Sequence, residues 1–208
     1  MKIFLLGGTG RTGQQFIDLA LAGGHQVTAF VRSPWKVRRH EAGLRVVEGD
    51  PRNAEVEGQA LVGHDALVSA LGPEPRKAMT GSTLLRDCAA ASVTAMRATG
   101  VKRVAVVSSA LLFPGGGFAV KLARRLIRPH LQDSEPMELL FGQSGLHWTI
   151  ARPPRLVHSP DASYRAAVGR LPVALTVRAW LSWRGVASFL LDCIVGRTHA
   201  DQVVGLSH

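Results

Sequence analysis

The stretch Ile3-Phe-Leu-Leu-Gly-Gly-Thr-Gly-Arg-Thr-Gly13 sets four glycines directly after an apolar run and ahead of a segment with helical periodicity. The apolar run, residues 2 to 6, reads as a buried strand, and "TGQQFIDLALAGG", residues 12 to 24, reads as a helix ending in glycine. In that setting Gly7 permits a tight turn, and Gly10 leaves the backbone open to a pyrophosphate with no Cβ in the way. Gly13 lets the new helix pack closely on the strand. Phosphates would then meet the free N–H groups of the helix N-terminus, where the dipole favours negative charge. Read from Gly8, the run is G-x-G-x-x-G; read from Gly7, it is G-x-x-G-x-x-G. A glycine-rich turn with no ligand would share this spacing. The strand before it and the helix after it are what select a dinucleotide site.

Outward from the loop, apolar segments alternate with helical ones. The strand "QVTAFVR" (26 to 32) completes a first strand-helix-strand unit. It is followed by strands at 45 to 49, 65 to 71, 103 to 109 and 147 to 153, with helices expected at 53 to 62, 82 to 99, 118 to 128 and 134 to 144. Strands that are apolar throughout and separated by helices imply a parallel sheet covered on both faces. The expected fold is therefore α/β, a Rossmann-type doubly wound parallel sheet in a single domain over 1 to 208. Its dinucleotide-binding core would span about 1 to 153. The rest, about 154 to 208, contains Pro160, Pro172 and the apolar segment 185 to 195. It reads as a small substrate-side lobe closed by a last strand at 202 to 206.

The end of the second strand reports which dinucleotide is held. An acidic residue there would hydrogen-bond the ribose hydroxyls of NAD and repel the 2′-phosphate of NADP. The position carries Arg32, with Ser33 beside it and Lys36 close behind. Two cations and a hydroxyl suit a phosphate monoester, which a guanidinium binds bidentately. NADP(H) is the expected cofactor.

The formal net charge of +10 calls for an anionic partner. One basic cluster is Arg32, Lys36, Arg38, Arg39 and Arg45; another is Lys121, Arg124, Arg125 and Arg128, at helical spacing. Val120, Leu122, Ala123, Leu126 and Ile127 fall mostly on the remaining arc, so the second cluster reads first as a solvated helix face. No interleaved aromatics accompany either cluster, and nucleic-acid binding is not expected. Cys88 and Cys193 are far apart and form no metal-ligand spacing, so no metal and no disulfide framework are expected, and a reducing compartment is. No apolar run approaches the ~20 residues of a membrane span, and no signal-peptide pattern opens the chain. The expectation is a cytoplasmic protein with no membrane partner.

Taken together, "GGTGRTG", "FVRSPWK", "VVEGD", "ALVSALG", "VAVVSSA" and "SGLHWTIARPP" resemble the atypical short-chain dehydrogenase/reductases of the NmrA-like type, with biliverdin-IXβ/flavin reductase as a small relative. The resemblance implies that Gly7, Gly10, Arg11, Thr12 and Gly13 hold the pyrophosphate, Arg32 and Lys36 the 2′-phosphate, and Asp50 the adenine. Leu71 and Gly72 would line the ribose and nicotinamide side. Ser109 and the turn Pro153-Pro154-Arg155 would approach the nicotinamide.

One departure bears on the chemistry. Many reductases of the superfamily use a Tyr-x-x-x-Lys pair, whose lysine lowers the phenol pKa so that the tyrosine serves as acid or base. This chain has one tyrosine, Tyr164, placed beyond the sixth strand. Counted in register with the family, His130 takes the tyrosine slot and Ser134 the lysine slot. Ser109 and His130 are the candidate catalytic residues; Ser109 at a strand end also fits a plain turn cap. Two functions remain open. One is an NADPH-dependent reductase of a conjugated acceptor such as a flavin, quinone or tetrapyrrole, which needs little acid catalysis. The other is an NmrA-like protein that senses NADP(H) and reports it to a protein partner, with the basic helix near 121 to 128 as the contact surface.

Overall fold

A computed structural model describes residues 1–37, 41–73 and 79–208. Its first strand, β1 (Lys2–Leu6), is flanked on both sides, which is why Ile3, Phe4, Leu5 and Leu6 are all buried. Their side chains alternate across the sheet. Ile3 and Leu5 join one apolar layer with Phe16, Ile17 and Phe189; Phe4 and Leu6 join the other with Phe30, Leu67 and Met96.

The remaining strands are β2 (Gln26–Val31), β3 (Leu44–Glu48), β4 (Ala66–Ser69), β5 (Arg103–Val107), β6 (His147–Arg152), β7 (Arg155–Val157), β8 (Arg165–Val168), β9 (Trp180–Ser182) and β10 (Gln202–Ser207). Seven of them join β1 in one sheet in the order β3-β2-β1-β4-β5-β6-β10-β8, parallel except for β8, which runs against β10. The helices are α1 (Arg11–Ala22), α2 (Ala54–Leu61), α3 (Leu84–Thr99), α4 (Phe118–Leu126), α5 (Arg128–Gly142) and α6 (Trp183–Gly196). α1 and α6 pack together on one face of the sheet, and α3 packs between α2 and α5 on the other. Chain order reverses between β1 and β4. The crevice that opens there, beyond the carboxyl ends of the strands, is where open α/β sheets bind ligands.

Two differences from the sequence reading have physical causes. The expected helices at 118 to 128 and 134 to 144 are instead divided at Ile127, and α5 runs from Arg128 through Pro136 to Gly142. Pro129 lies in its first turn, where a missing N–H breaks no intrahelical bond. The C-terminal segment, expected as a lobe, is shared between sheet and lobe. α6 buries Val186, Phe189, Leu190, Cys193 and Ile194 against α1 and the sheet, and β10 extends the sheet beside β6. Only the small β7–β9 pair and its connections stand beyond the strand ends.

Candidate functional site

The glycine loop has the geometry its spacing implies. Gly7 has φ +82°, and a Cβ there would lie 2.6 Å from the Ala70 carbonyl oxygen. A Cβ on Gly13 would lie 2.1 Å from the Gly7 carbonyl oxygen, so only glycine lets α1 approach the end of β1 this closely. Gly10 donates its N–H to the Gly7 carbonyl at 2.9 Å and stands as the N-cap of α1 with no side chain capping the helix. A Cβ on Gly10 would meet only the Gly7 carbonyl, at 3.2 Å, and otherwise project into open space. An uncapped helix start beside an open glycine backbone fits a diphosphate. Thr12 is buried in the first turn. Arg11 is exposed, with its guanidinium 4.5 Å from the Trp183 ring centroid, so it leans toward α6 over a polar cavity of about 400 Å³ also lined by Thr9, Gln14, His158 and Arg184.

At the end of β2, Arg32 and Lys36 are both exposed, and the Lys36 carbonyl accepts from Gln14 Nε2 of α1 at 3.5 Å. The expected cation pair therefore stands beside the first turns of α1. Arg38 and Arg39 lie outside the described residues. Arg45 does not belong with this cluster: it pairs in register with Thr28 near the amino end of β3 and lines a hollow at the amino ends of the strands, the opposite end of the sheet from Arg32. Asp50 is held by Arg52, with Arg52 Nη2 at 2.5 Å from Asp50 Oδ2, and this partner keeps its carboxyl below the ordinary carboxylate range. Leu71 is half-buried against the core and Gly72 is exposed.

On the other side of the switch point, β5 and β6 continue side by side past their ends. Ser108 N–H donates to the Ala151 carbonyl at 2.7 Å and Ala110 N–H to the Pro153 carbonyl at 2.9 Å. These bonds bring Ser109, Pro153, Pro154 and Arg155 to one wall of a cleft of about 370 Å³. The same cleft is also lined by Ala123, Ile127, His130, Leu175 and Val177. The lining is predominantly apolar. Ser109 Oγ accepts from Leu111 N–H at 3.3 Å, capping the 3₁₀ turn Ala110–Leu112 as the plain turn-cap reading has it, and the residue lines the cleft.

His130 reaches the cleft from α5. Burial pushes its pKa below the ordinary histidine value, and its Nδ1 is buried without a hydrogen-bond partner. Ser134 is fully buried and its hydroxyl donates to the His130 carbonyl at 2.9 Å, so the lysine slot is filled by a group that cannot reach the cleft. Tyr164 is turned away: its hydroxyl donates to Asp192 Oδ2 at 2.6 Å and its ring packs on Phe189 of α6. Among the described residues that line the cleft there is no tyrosine and no lysine.

A network beneath the cleft was not legible in the sequence. Arg152, at the end of β6, donates to both carboxylate oxygens of Glu138 at 3.0 and 2.6 Å, with side-chain exposures of 16% and 10%. Ser108 Oγ donates to the same carboxylate, and the Arg152 guanidinium lies 4.7 Å from the Phe113 ring centroid. This pair fastens α5, and with it His130, to the strand ends that carry Ser109. Residues 138 and 152 reveal no pairing by spacing, because they meet only through the packing of α5 on β6.

The family described as NAD(P)H-binding matches residues 7–195. The chain belongs to this family. The NAD(P)H-binding protein is 27% identical over 213 residues to the uncharacterized sugar epimerase YhfK of Bacillus subtilis, covering 95% of this chain and 96% of the relative. It is also 27% identical over 223 residues to an uncharacterized chloroplastic protein of Arabidopsis thaliana, covering 97% and 79%. Among solved structures, a short-chain dehydrogenase/reductase of Veillonella parvula in complex with NADP superposes with TM-score 0.82 at 20% identity, covering 100% and 94% of the two chains. The oxidoreductase ylbE of Lactococcus lactis superposes with TM-score 0.80 at 18% identity, covering 99% and 90%. At these identities the structures speak for the Rossmann fold, and the family match makes the chain an NAD(P)H-binding protein. Among the described residues no cluster of three or more His, Cys, Asp and Glu could hold a metal ion, and no helix is long and apolar enough to cross a membrane.

Proposed function

We propose that this NAD(P)H-binding protein is an NADPH-dependent reductase of conjugated ring acceptors of the flavin, quinone or tetrapyrrole kind. The observation that carries the reading is the cleft of about 370 Å³, apolar over most of its wall, with Ser109 and His130 in it and no tyrosine–lysine pair. The glycine loop and the uncapped start of α1 fit the diphosphate, and Arg32 with Lys36 fits a 2′-phosphate where an NAD enzyme would carry an acid. When bound, the nicotinamide supplies the hydride.

The chain's own residues do the rest. Leu111, Ile127, Leu156 and Leu175 exclude water from the face of the acceptor. Glu138 and Arg152 tie α5, which carries His130, to the end of β6, and His130 and Ser109 both line the cleft. A conjugated acceptor spreads its new charge over the ring system, so one proton from a protonated His130, or from solvent at the cleft mouth, completes reduction. A simple ketone concentrates the charge on one oxygen and needs a strong local acid, which this cleft lacks. Cys88 and Cys193 are both free thiols, buried in the core, which suits a reducing compartment such as the cytoplasm.

An acceptor screen followed on the NADPH absorbance band tests this. Oxidation is expected with FMN, FAD or small quinones, and little with aldehydes or ketones. Rapid ketone reduction would overturn the reaction class. Tight NADPH binding with no turnover on any acceptor would replace the reductase by the NADP(H)-sensing reading.

A further inference from the structure

We propose that the outward face of α4 docks on an anionic phospholipid surface. The cations of this segment suggested a solvated face with its apolar residues turned inward, and the structure divides them differently. Val120 is the buried residue of α4, with Ala123 and the adjoining Ile127 against the cleft. Leu122 and Leu126 instead stand 48% and 56% exposed, in line with Phe118 at 82%. These three recur every fourth residue, so they form one strip along the outside of the helix. Beside the strip lie Lys121 and Arg125, with Arg128 at the start of α5, all exposed. Arg124 is not part of this face: its guanidinium donates to the carbonyls of Leu111 and Gly115 at 2.8 and 2.7 Å, and to that of Phe113, fastening α4 to the loop before it.

Among the described residues this charge has no acidic partner. From Cys88 to Gln132 the chain carries no aspartate or glutamate. Among the described residues no carboxylate pairs with Lys121, Arg125 or Arg128. An exposed apolar strip flanked by cations is the arrangement of helices that lie in a membrane interface, the apolar side chains entering the acyl boundary and the cations meeting lipid phosphates. A nucleic acid would satisfy the cations and leave Phe118, Leu122 and Leu126 in water, so an anionic bilayer is the better fit. The expectation of no membrane partner rested on spanning segments, and a helix lying on the surface is a different case. The inner side of α4 walls the cleft, but docking of its outer side does not depend on the reading of that cleft and is read from binding without turnover.

Co-sedimentation with vesicles of phosphatidylcholine alone, and of phosphatidylcholine with about one third phosphatidylglycerol, tests the proposal at low salt. Binding is expected only to the anionic vesicles. Phe118→Ser with Leu122→Ser, and separately Lys121→Glu with Arg125→Glu, should each weaken it about tenfold while NADPH affinity and Tm stay unchanged. In Phe118→Trp, the new indole fluorescence should shift to the blue and be quenched by brominated phospholipid, a readout that stands even if a double variant fails to fold. No binding to anionic vesicles, an unquenched indole, or binding indifferent to the Phe118 and Leu122 changes would overturn it. So would duplex DNA binding as tight as vesicle binding and insensitive to the apolar changes.

Discussion

At the scale of single residues, the proposed choice of cofactor and the proposed source of the proton can each be tested at one side chain. Arg32 is an exposed cation at the end of β2, where it has no competing carboxylate within its own strand, and Asp50 nearby is held by Arg52. Arg32→Asp is expected to weaken NADPH binding by about tenfold or more, roughly 1.4 kcal/mol, and to close the gap to NADH. Calorimetric titration with both cofactors checks it. His130 is held largely neutral at pH 7 by burial, because its pKa lies below the ordinary value. A proton donor of this kind gains its active form as pH falls, so kcat on a quinone or flavin acceptor should rise on the acid side of neutrality. His130→Ala should remove that rise and leave NADPH affinity nearly unchanged, the pattern of an interaction made in the transition state. A profile identical to the parent's would assign protonation to solvent.

At the scale of elements, the glycine loop joins β1 to α1 through two different requirements. Gly13 answers a packing constraint, since any Cβ would strike the Gly7 carbonyl, while Gly10 leaves room for a ligand. The two positions should therefore respond differently to the same change. Gly10→Val is expected to abolish NADPH binding with a Tm close to the parent's. Gly13→Val should lower Tm as well, because α1 can no longer sit against the end of β1. Thermal unfolding alongside a cofactor titration separates the outcomes; a Gly10→Val protein that binds normally would place the phosphates elsewhere.

At the scale of the whole molecule, stability carries the mark of a carboxyl enclosed between α2 and α3. Glu57 is fully buried and neither of its oxygens has a well-formed hydrogen bond. Burial pushes its pKa up to about 8, an effect that the neighbouring Ser92 hydroxyl offsets only in part. The folded protein therefore binds a proton that the unfolded chain releases near the ordinary carboxyl value. Its contribution is full below that value and is lost as pH rises toward 8. Between about pH 5 and about pH 8 the native state should lose a few kcal/mol through this group, and Glu57→Gln should abolish the loss and be the more stable protein at the upper end. Urea unfolding at the two pH values measures both. His130 acts in the opposite direction, removing stability as pH falls below the ordinary histidine value.

The sequence by itself determined the alternation of buried strands and helices, the glycine loop between β1 and α1, the cation at the end of β2 and the lack of a tyrosine–lysine pair. Each of these is written in neighbouring residues, through periodicity, turn chemistry or simple presence. What only the tertiary structure decided is which side of each element is covered. Arg45 belongs with the Arg32 cluster in the sequence, yet strand direction carries it to the other end of the sheet. Leu122 and Leu126 have the composition of a core face, but α4 sits at the molecule's edge and only Val120, Ala123 and Ile127 find something to pack against. α6 and β10 follow a stretch of irregular sequence and return to complete the sheet. Glu138 and Arg152 become partners across two elements. A side chain's burial depends on what the rest of the chain brings to it, and those contacts span distances in sequence that no local pattern records.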